Sequence, residues 1–435
     1  MPVTVEGPAR TARTIGFWTA VALVMGNMIG SGVFLLPASL APYGGIGLVG
    51  WLLSTAGAVL LALVFARLAR FNPATGGPYA YTRRAFGDLP GFLVAWGYWI
   101  SVWCANAALS VAFVGYLDPF IPGIVRNPVS AAALAVGTLW LLTAVNVRGV
   151  RTAGRVQVVT TAIKILPLAL IGLAGLFFLD RSHFAIAQTD PRAFARGVTA
   201  TATLTLWAFL GLECATIPAG AIRNPERTIP RATIVGTLLA GIIYIVSTIG
   251  VLGVLPPATL GQTTAPYAEA ARALAGDRAA AVIALGAAIS CFGALNGWIL
   301  IVGQLPMAVA QDSLFPRIFG RLSARGTPVA GLVIGGILAT SLISMNYTRG
   351  LVELFTFIIL LATLSTLVPY AFCSLAGFMT DQEAERPRAP GASIVAALAF
   401  AYSLWAIGGA GAEVVYWGFL LLIAGLPVYV WVVRS

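Results

Sequence analysis

The chain has 435 residues, 59% of them hydrophobic and only 9% charged, with a net charge of +11. A soluble domain carries about 25% charged residues, so this composition, with a mean hydropathy of +0.91, excludes an ordinary soluble fold and marks an all-α, polytopic integral membrane protein. The basic excess calls for no nucleic-acid partner, because arginine-rich loops lying against anionic lipid account for it.

A membrane-crossing helix needs about 20 apolar residues. On that criterion twelve spans are predicted, near 16–42, 45–66, 90–117, 128–147, 157–179, 199–221, 232–255, 279–310, 328–346, 351–379, 392–409 and 413–433. Residues 1–15 form a polar N-terminal tail, and the first apolar run is too long for a cleavable signal peptide. The segment 264–276 is mildly amphipathic and is expected to be a short helix on the outer surface. With the N-terminus inside, the inner loops collect 18 of the 26 basic residues and the outer loops 7, Lys164 being the remaining one. That excess predicts cytoplasmic N- and C-termini. Cys104, Cys214, Cys291 and Cys373 lie in apolar runs with no metal-site spacing, so buried free thiols are expected. His183, the single histidine, is expected to be a solvated loop residue.

The first span carries Gly26-Asn27-Met28-Ile29-Gly30-Ser31-Gly32-Val33-Phe34 at its centre. Glycine costs about 1 kcal/mol against alanine in a helix. Two readings fit so many small residues there. Gly26 and Gly30 form a small-xxx-small pair suited to close helix packing. Alternatively the helix breaks at Gly30 to Gly32 and offers free N–H groups to a substrate carboxylate. The sixth span, Thr205-Leu206-Trp207-Ala208-Phe209-Leu210-Gly211-Leu212-Glu213-Cys214-Ala215, also holds a central glycine and the one acid that lies away from the ends of a span. Interrupted segments at corresponding places in two halves are the best sequence pointer to a transport site at the midplane. The pair therefore favours the broken-helix reading. Five spans per half, 16–179 and 199–379, would make the halves inverted repeats, with 392–433 as two further helices.

These residues carry a resemblance. The chain resembles the amino acid–polyamine–organocation transporters, in particular the bacterial basic amino acid/polyamine antiporters of the arginine/agmatine and ornithine/putrescine type. The motifs are Gly26 to Pro37, Gly76-Gly77-Pro78-Tyr79-Ala80-Tyr81, Leu206 to Glu213, Asn224-Pro225-Glu226-Arg227-Thr228-Ile229-Pro230, Asp312-Ser313-Leu314-Phe315-Pro316 and Leu367-Val368-Pro369-Tyr370. The resemblance implies the leucine-transporter fold with broken helices 1 and 6, alternating access, no cofactor and no enzymatic chemistry. It implies that Ser31, Gly32 and the backbone of Met28, Ile29 and Gly30 bind the substrate carboxylate, and that Asn27 meets the α-amino end. Trp207 resembles the aromatic gate, and Trp298 the aromatic that packs on the substrate. Tyr98, Asn106 and Leu210 resemble pocket-lining positions, while Glu213 and Tyr79 resemble groups tied to gating and proton sensitivity.

Read from the residues alone, a mid-span Trp suits a cation-binding wall or core packing, and Asn106 suits either a pocket or an interhelical hydrogen bond. Two positions depart from the arginine/agmatine pattern. Ala362 stands where those exchangers place a hydroxyl. Lys164 stands where they place a small apolar residue, and it resembles the lysine with which sodium-independent carriers of the superfamily mimic a sodium ion. The expected function is therefore a sodium-independent exchanger of amino acids in a bacterial inner membrane, with a basic amino acid and a related amine favoured. Proton-coupled or exchange transport of neutral amino acids, using Lys164, is the alternative. A channel or a membrane enzyme would want filter rings or a His/Cys/Asp cluster, which the sequence does not offer. Related carriers dimerise in some subfamilies, so a homodimer stays open.

Overall fold

The computed structural model describes residues 13–434 apart from 187–189, 264, 350–351 and 384–389. The first predicted span is two helices, α1 (Phe17–Met28) and α2 (Gly32–Leu40). They are bent by 42° at the Ile29-Gly30-Ser31 break. α3 (Ile46–Phe71) stops just short of Pro73, as the residue before proline is steered out of helix. Gly76 and Gly77, at φ +111° and +53°, turn the chain into the short α4 (Pro78–Phe86). α5 (Asp88–Leu117) follows. α6 (Pro128–Val147) is capped by Asn127, whose side chain accepts from the Val129 and Ser130 N–H groups, as an N-cap residue should. α7 (Val150–Phe177) completes the first half.

α8 (Pro191–Leu206) opens the second half and is followed by a single 3-10 turn, Trp207–Phe209. From Leu210 onward the predicted sixth span is not helical: residues 210–218 form successive turns up to a second 3-10 segment, Ala219–Ala221. Gly211 at φ +108° is the physical cause, since a left-handed residue ends an α-helix. Next come α9 (Pro225–Val254), the short α10 (Pro257–Leu260) and α11 (Pro266–Gln311). α11 is kinked at Ala275 and Gly276. Its first part is the amphipathic segment expected at 264–276 (Thr264 lies outside the described residues), and its Tyr267, Ala270 and Ala271 are buried. The chain ends with α12 (Val329–Arg349), α13 (Val352–Glu383), α14 (Pro390–Gly409), α15 (Ala412–Ile423) and α16 (Leu426–Arg434).

Among the described residues, eight helical segments are long and apolar enough to cross a membrane, nine with the bent α1–α2 pair. Val329–Met345 and Leu364–Met379 are shorter apolar helices. The exposed side chains of Leu170, Phe177, Ile242, Val282, Phe419 and Trp431 give the bundle the greasy exterior that lipid requires.

The packing is reciprocal between the halves. α3 lies on α9, α5 on α11 and α6 on α12; α1 contacts α9 as α8 contacts α3, and α7 contacts α11 as α13 contacts α5. α1, α7 and α11, and the 210–218 turns, enclose the polar centre described next. His183 is not a solvated loop residue: its Nδ1 lies 3.0 Å from the Leu252 carbonyl, tying the loop after α7 to the end of α9.

Candidate functional site

On α7, Gln157, Thr161 and Lys164 recur at spacings of four and three, which places them on one helix face. That face grips the first broken span. Thr161 Oγ1 donates to the Ala22 carbonyl at 3.2 Å, and Lys164 Nζ donates to the carbonyls of Gly26 at 2.6 Å and Ile29 at 2.5 Å. From α11, Ser290 Oγ reaches the Ile29 and Gly30 carbonyls at 3.1 and 3.2 Å. Lys164 is fully buried, and its ammonium is met by backbone oxygens. The location fits its charge, because the C-terminal end of a helix such as α1 carries the negative end of the helix dipole. The break itself frees these carbonyls, as Ile29 leaves helical geometry with ψ 87°. Gly26 is needed for close approach: a Cβ there would overlap Gln157 Nε2 and lie 2.6 Å from Thr161 Oγ1. Close packing at Gly26 and a helix break at residues 29–31 thus occur together in the glycine stretch.

A cavity opens where the two broken spans meet. Of the residues expected there, Asn27, Met28, Gly30, Ser31, Gly32, Trp207, Leu210, Trp298 and Ala362 line it. α2 begins at Gly32 without a side-chain cap; the Phe34 N–H is bonded to the Ser31 carbonyl at 3.2 Å, and the N–H groups of Gly32 and Val33 precede any carbonyl of the helix that could receive them. Trp207 lies against this turn so closely that a Cβ on Gly32 would overlap its ring. Trp298 Nε1 donates to the Asn27 carbonyl at 3.3 Å. A Cβ on Gly211 would stand 3.2 Å from Trp298 and 3.1 Å from Asn27, so the second broken span comes up against the first.

Three expected lining residues are placed otherwise. Ile29 is fully buried and contributes a carbonyl to Lys164 and Ser290. Asn106 is buried and does not line the cavity; its backbone carbonyl receives Ser110 Oγ at 2.8 Å. Tyr98 also lies outside the lining, because its hydroxyl donates to Glu213 Oε1, while Tyr370 donates to Oε2. Glu213 is fully buried and clasped by phenols from α5 and α13. Tyr79 is not beside Glu213. Its hydroxyl donates to Asp312 at 2.8 Å, an acid also paired with Arg83 at 2.7 Å, and Arg83 pairs with Asp88 at 2.7 Å.

Several lining or supporting residues escaped the sequence reading. Ser101 and Thr366 line the cavity beside Ala362. Their oxygens lie 3.3 Å apart. Ser101 also donates to the Tyr98 carbonyl at 2.7 Å, and Thr366 donates to the Ala362 carbonyl at 3.1 Å. Ser290 and Gln157 were equally silent. Ser and Thr are common in apolar helices as back-bonded hydroxyls, so only the fold reveals which face a cavity.

The family model for amino acid permeases matches residues 15–432. The chain belongs to the amino acid permease family. A cadaverine/lysine antiporter of Escherichia coli K12 is 35% identical over 375 residues, covering 83% of this chain and 82% of its own length. A putrescine transporter, PotE, of Haemophilus influenzae is 32% identical over 420 residues, covering 95% of this chain and 96% of its own. PotE of E. coli K12 is 32% identical over 410 residues, covering 94% and 93%. The resemblance to basic amino acid/polyamine antiporters read from the motifs is thereby borne out, and this permease is a transport protein of that group.

Proposed function

We propose that this permease exchanges a basic amino acid for a related amine, without sodium, by alternating access. The observation that carries the reading is the polarity of the cavity. One part of the lining is the uncapped start of α2, where free N–H groups and the positive helix end suit a carboxylate. Another is the Ser101–Thr366 pair. With Thr366 donating to the Ala362 carbonyl and Ser101 to that of Tyr98, each oxygen keeps acceptor capacity. The pair offers lone pairs to an ammonium, and Trp207 and Trp298 flank the space with faces that attract cations. Such a cavity takes a molecule with an anionic and a cationic end, or a diamine. The names of the cadaverine/lysine and putrescine relatives point the same way. Asn27, Met28, Gly30, Ser31, Gly32, Leu210 and Ala362 complete the walls. Ile29 acts through its carbonyl, while Tyr98, Glu213 and Tyr79 belong to the machinery below the site.

Further features support alternating access. The central cavity shares Leu35 and Ala112 with a second cavity lined by Phe34, Tyr116 and Tyr267, which we read as the outward access path. On the opposite side, Ile15 is hydrogen-bonded to Ala221 and Arg223 at 2.9 Å each, and Tyr79, Arg83 and Asp312 form a closed cluster. We read that side as cytoplasmic, in a bacterial inner membrane, as the arginine excess requires. The reciprocal packing supports inverted repeats at 16–179 and 199–379 in a leucine-transporter-type fold of twelve spans, with 392–433 added. Lys164 stands in for a coupling cation, between α7, the α1 break and Ser290 of α11.

The test is thermal stabilisation of the purified protein by a panel of amino acids and amines. A ligand at 100 times its dissociation constant adds about 2.7 kcal/mol. Lysine, ornithine, cadaverine and putrescine are expected to stabilise. Stabilisation by leucine or alanine with no response to the dibasic compounds contradicts the reading.

A further inference from the structure

Beyond the site itself, a chain of buried side chains crosses five segments of the fold. Asn146 on α6 donates to Asn296 Oδ1 on α11 at 3.2 Å, and Asn296 Nδ2 donates to Gln157 Oε1 on α7 at 3.1 Å. Gln157 Nε2 donates to Asn27 Oδ1 at the end of α1 at 3.2 Å, and Asn27 Nδ2 donates to Cys214 Sγ in the second broken span at 3.0 Å. Every donor points the same way along the chain, so each bond polarises the next. All five residues are at most 3% exposed. Two glycines clear space for it: a Cβ on Gly297 would overlap Asn27 Oδ1, and one on Gly26 would overlap Gln157 Nε2.

Asn27 is the member that lines the cavity, and both ends of its side-chain amide are already engaged. We infer that Gln157 is a positioning residue: it fixes the orientation of the Asn27 amide and, through Asn27, the seat of Cys214 and the turn after Glu213. The reasoning is geometric. Asn27 ends a helix at a break, where the backbone alone does not fix the following segment. Gln157 stands on a continuous helix and is itself held by Asn296, so orientation passes from the scaffold to the broken spans. The consequence for transport rests on the proposed function, whereas the consequence for Cys214 does not.

The experiment uses the full-length protein and Gln157→Met, which keeps side-chain length and removes the hydrogen bonds to Asn296, to Asn27 and, at 3.4 Å, to the Ala22 carbonyl. A small maleimide is added, and labelling of the four cysteines is followed by mass spectrometry. Labelling of Cys214 is expected to rise about tenfold, the factor one lost hydrogen bond can supply, with Cys291 and Cys373 unchanged. In proteoliposomes, lysine exchange is expected to show a KM raised by a similar factor with the maximum rate within about twofold. An unchanged Cys214, or an equal rise at all three buried cysteines, overturns the inference, the latter being general loosening. An unchanged KM with a fallen maximum rate also overturns it. If Gln157→Met fails to fold, Gln157→Leu, which likewise offers neither donor nor acceptor, is held to the same outcomes. A wild-type protein that exchanges no amine contradicts the proposed function, and the cysteine labelling still decides this inference.

Discussion

At Gly32 the side chain matters by its absence. A Cβ would drive into Trp207, and the residue begins α2 where the carboxylate is proposed to bind. Gly32→Val is expected to reduce exchange at least tenfold, about 1.4 kcal/mol of lost binding or gating, with the protein still folded; normal exchange would contradict the carboxylate role. Lys164 supplies a charge to the end of α1. Lys164→Ala leaves the Gly26 and Ile29 carbonyls without that donor, so loss or strong asymmetry of transport is expected. Replacing sodium with choline should leave native exchange unchanged, and a sodium requirement would refute the cation stand-in. In the cavity wall, Thr366→Val removes a hydroxyl and keeps its volume. We expect the KM for lysine and cadaverine to rise about tenfold, the scale of one hydrogen bond to a charged group. Glu213 accepts from two tyrosines, so Glu213→Gln is expected to flatten the pH dependence of transport with binding nearly intact. An unchanged pH profile with altered thermal stability would make it a structural residue. Most of these side chains were legible because they are chemically out of place in an apolar span. Ser101 and Thr366 were not, because hydroxyls are cheap to bury on a helix and carry no periodic signal.

The two broken elements differ in a way that sequence could not anticipate. The first bends between two helices, with Gly26 before the break and Gly32 and Pro37 after it. The second leaves the helix at Trp207 and continues as turns. The central glycine flagged an interruption in both, but that Gly211 takes φ +108° with Trp298 and Asn27 close by is visible only in the fold. Gly211→Ala forces an L-residue into that left-handed geometry, which costs about 1–2 kcal/mol, plus the close contacts at 3.1 and 3.2 Å. A lowered melting temperature in detergent is expected, together with weaker ligand stabilisation. An unchanged melting temperature would show that the turn is not held as described. α7, by contrast, reads as one apolar helix, and among its polar residues Gln157, Thr161 and Lys164 mark the face that holds the first break. Lys164 was singled out for its charge. Gln157 was overlooked because an uncharged amide in a span is most often a simple interhelical bond.

For the whole molecule, composition settled the all-helical membrane class, since hydrophobic length is a requirement of the bilayer itself. Which helices pack together was beyond the sequence, because lipid-facing and protein-facing apolar residues look alike. The same holds for the closed side, where Ile15 reaches Ala221 and Arg223 through backbone atoms that no motif advertises. The proposed exchange needs a central cavity that binds both a carboxylate and an ammonium and opens to one side at a time. Counterflow tests this most directly. Purified protein is reconstituted into liposomes loaded with unlabelled cadaverine, and uptake of labelled lysine is followed with no sodium present. Rapid uptake that vanishes when the liposomes are empty is the expected result. Equal uptake into empty liposomes, driven by the gradient of lysine alone, would contradict exchange.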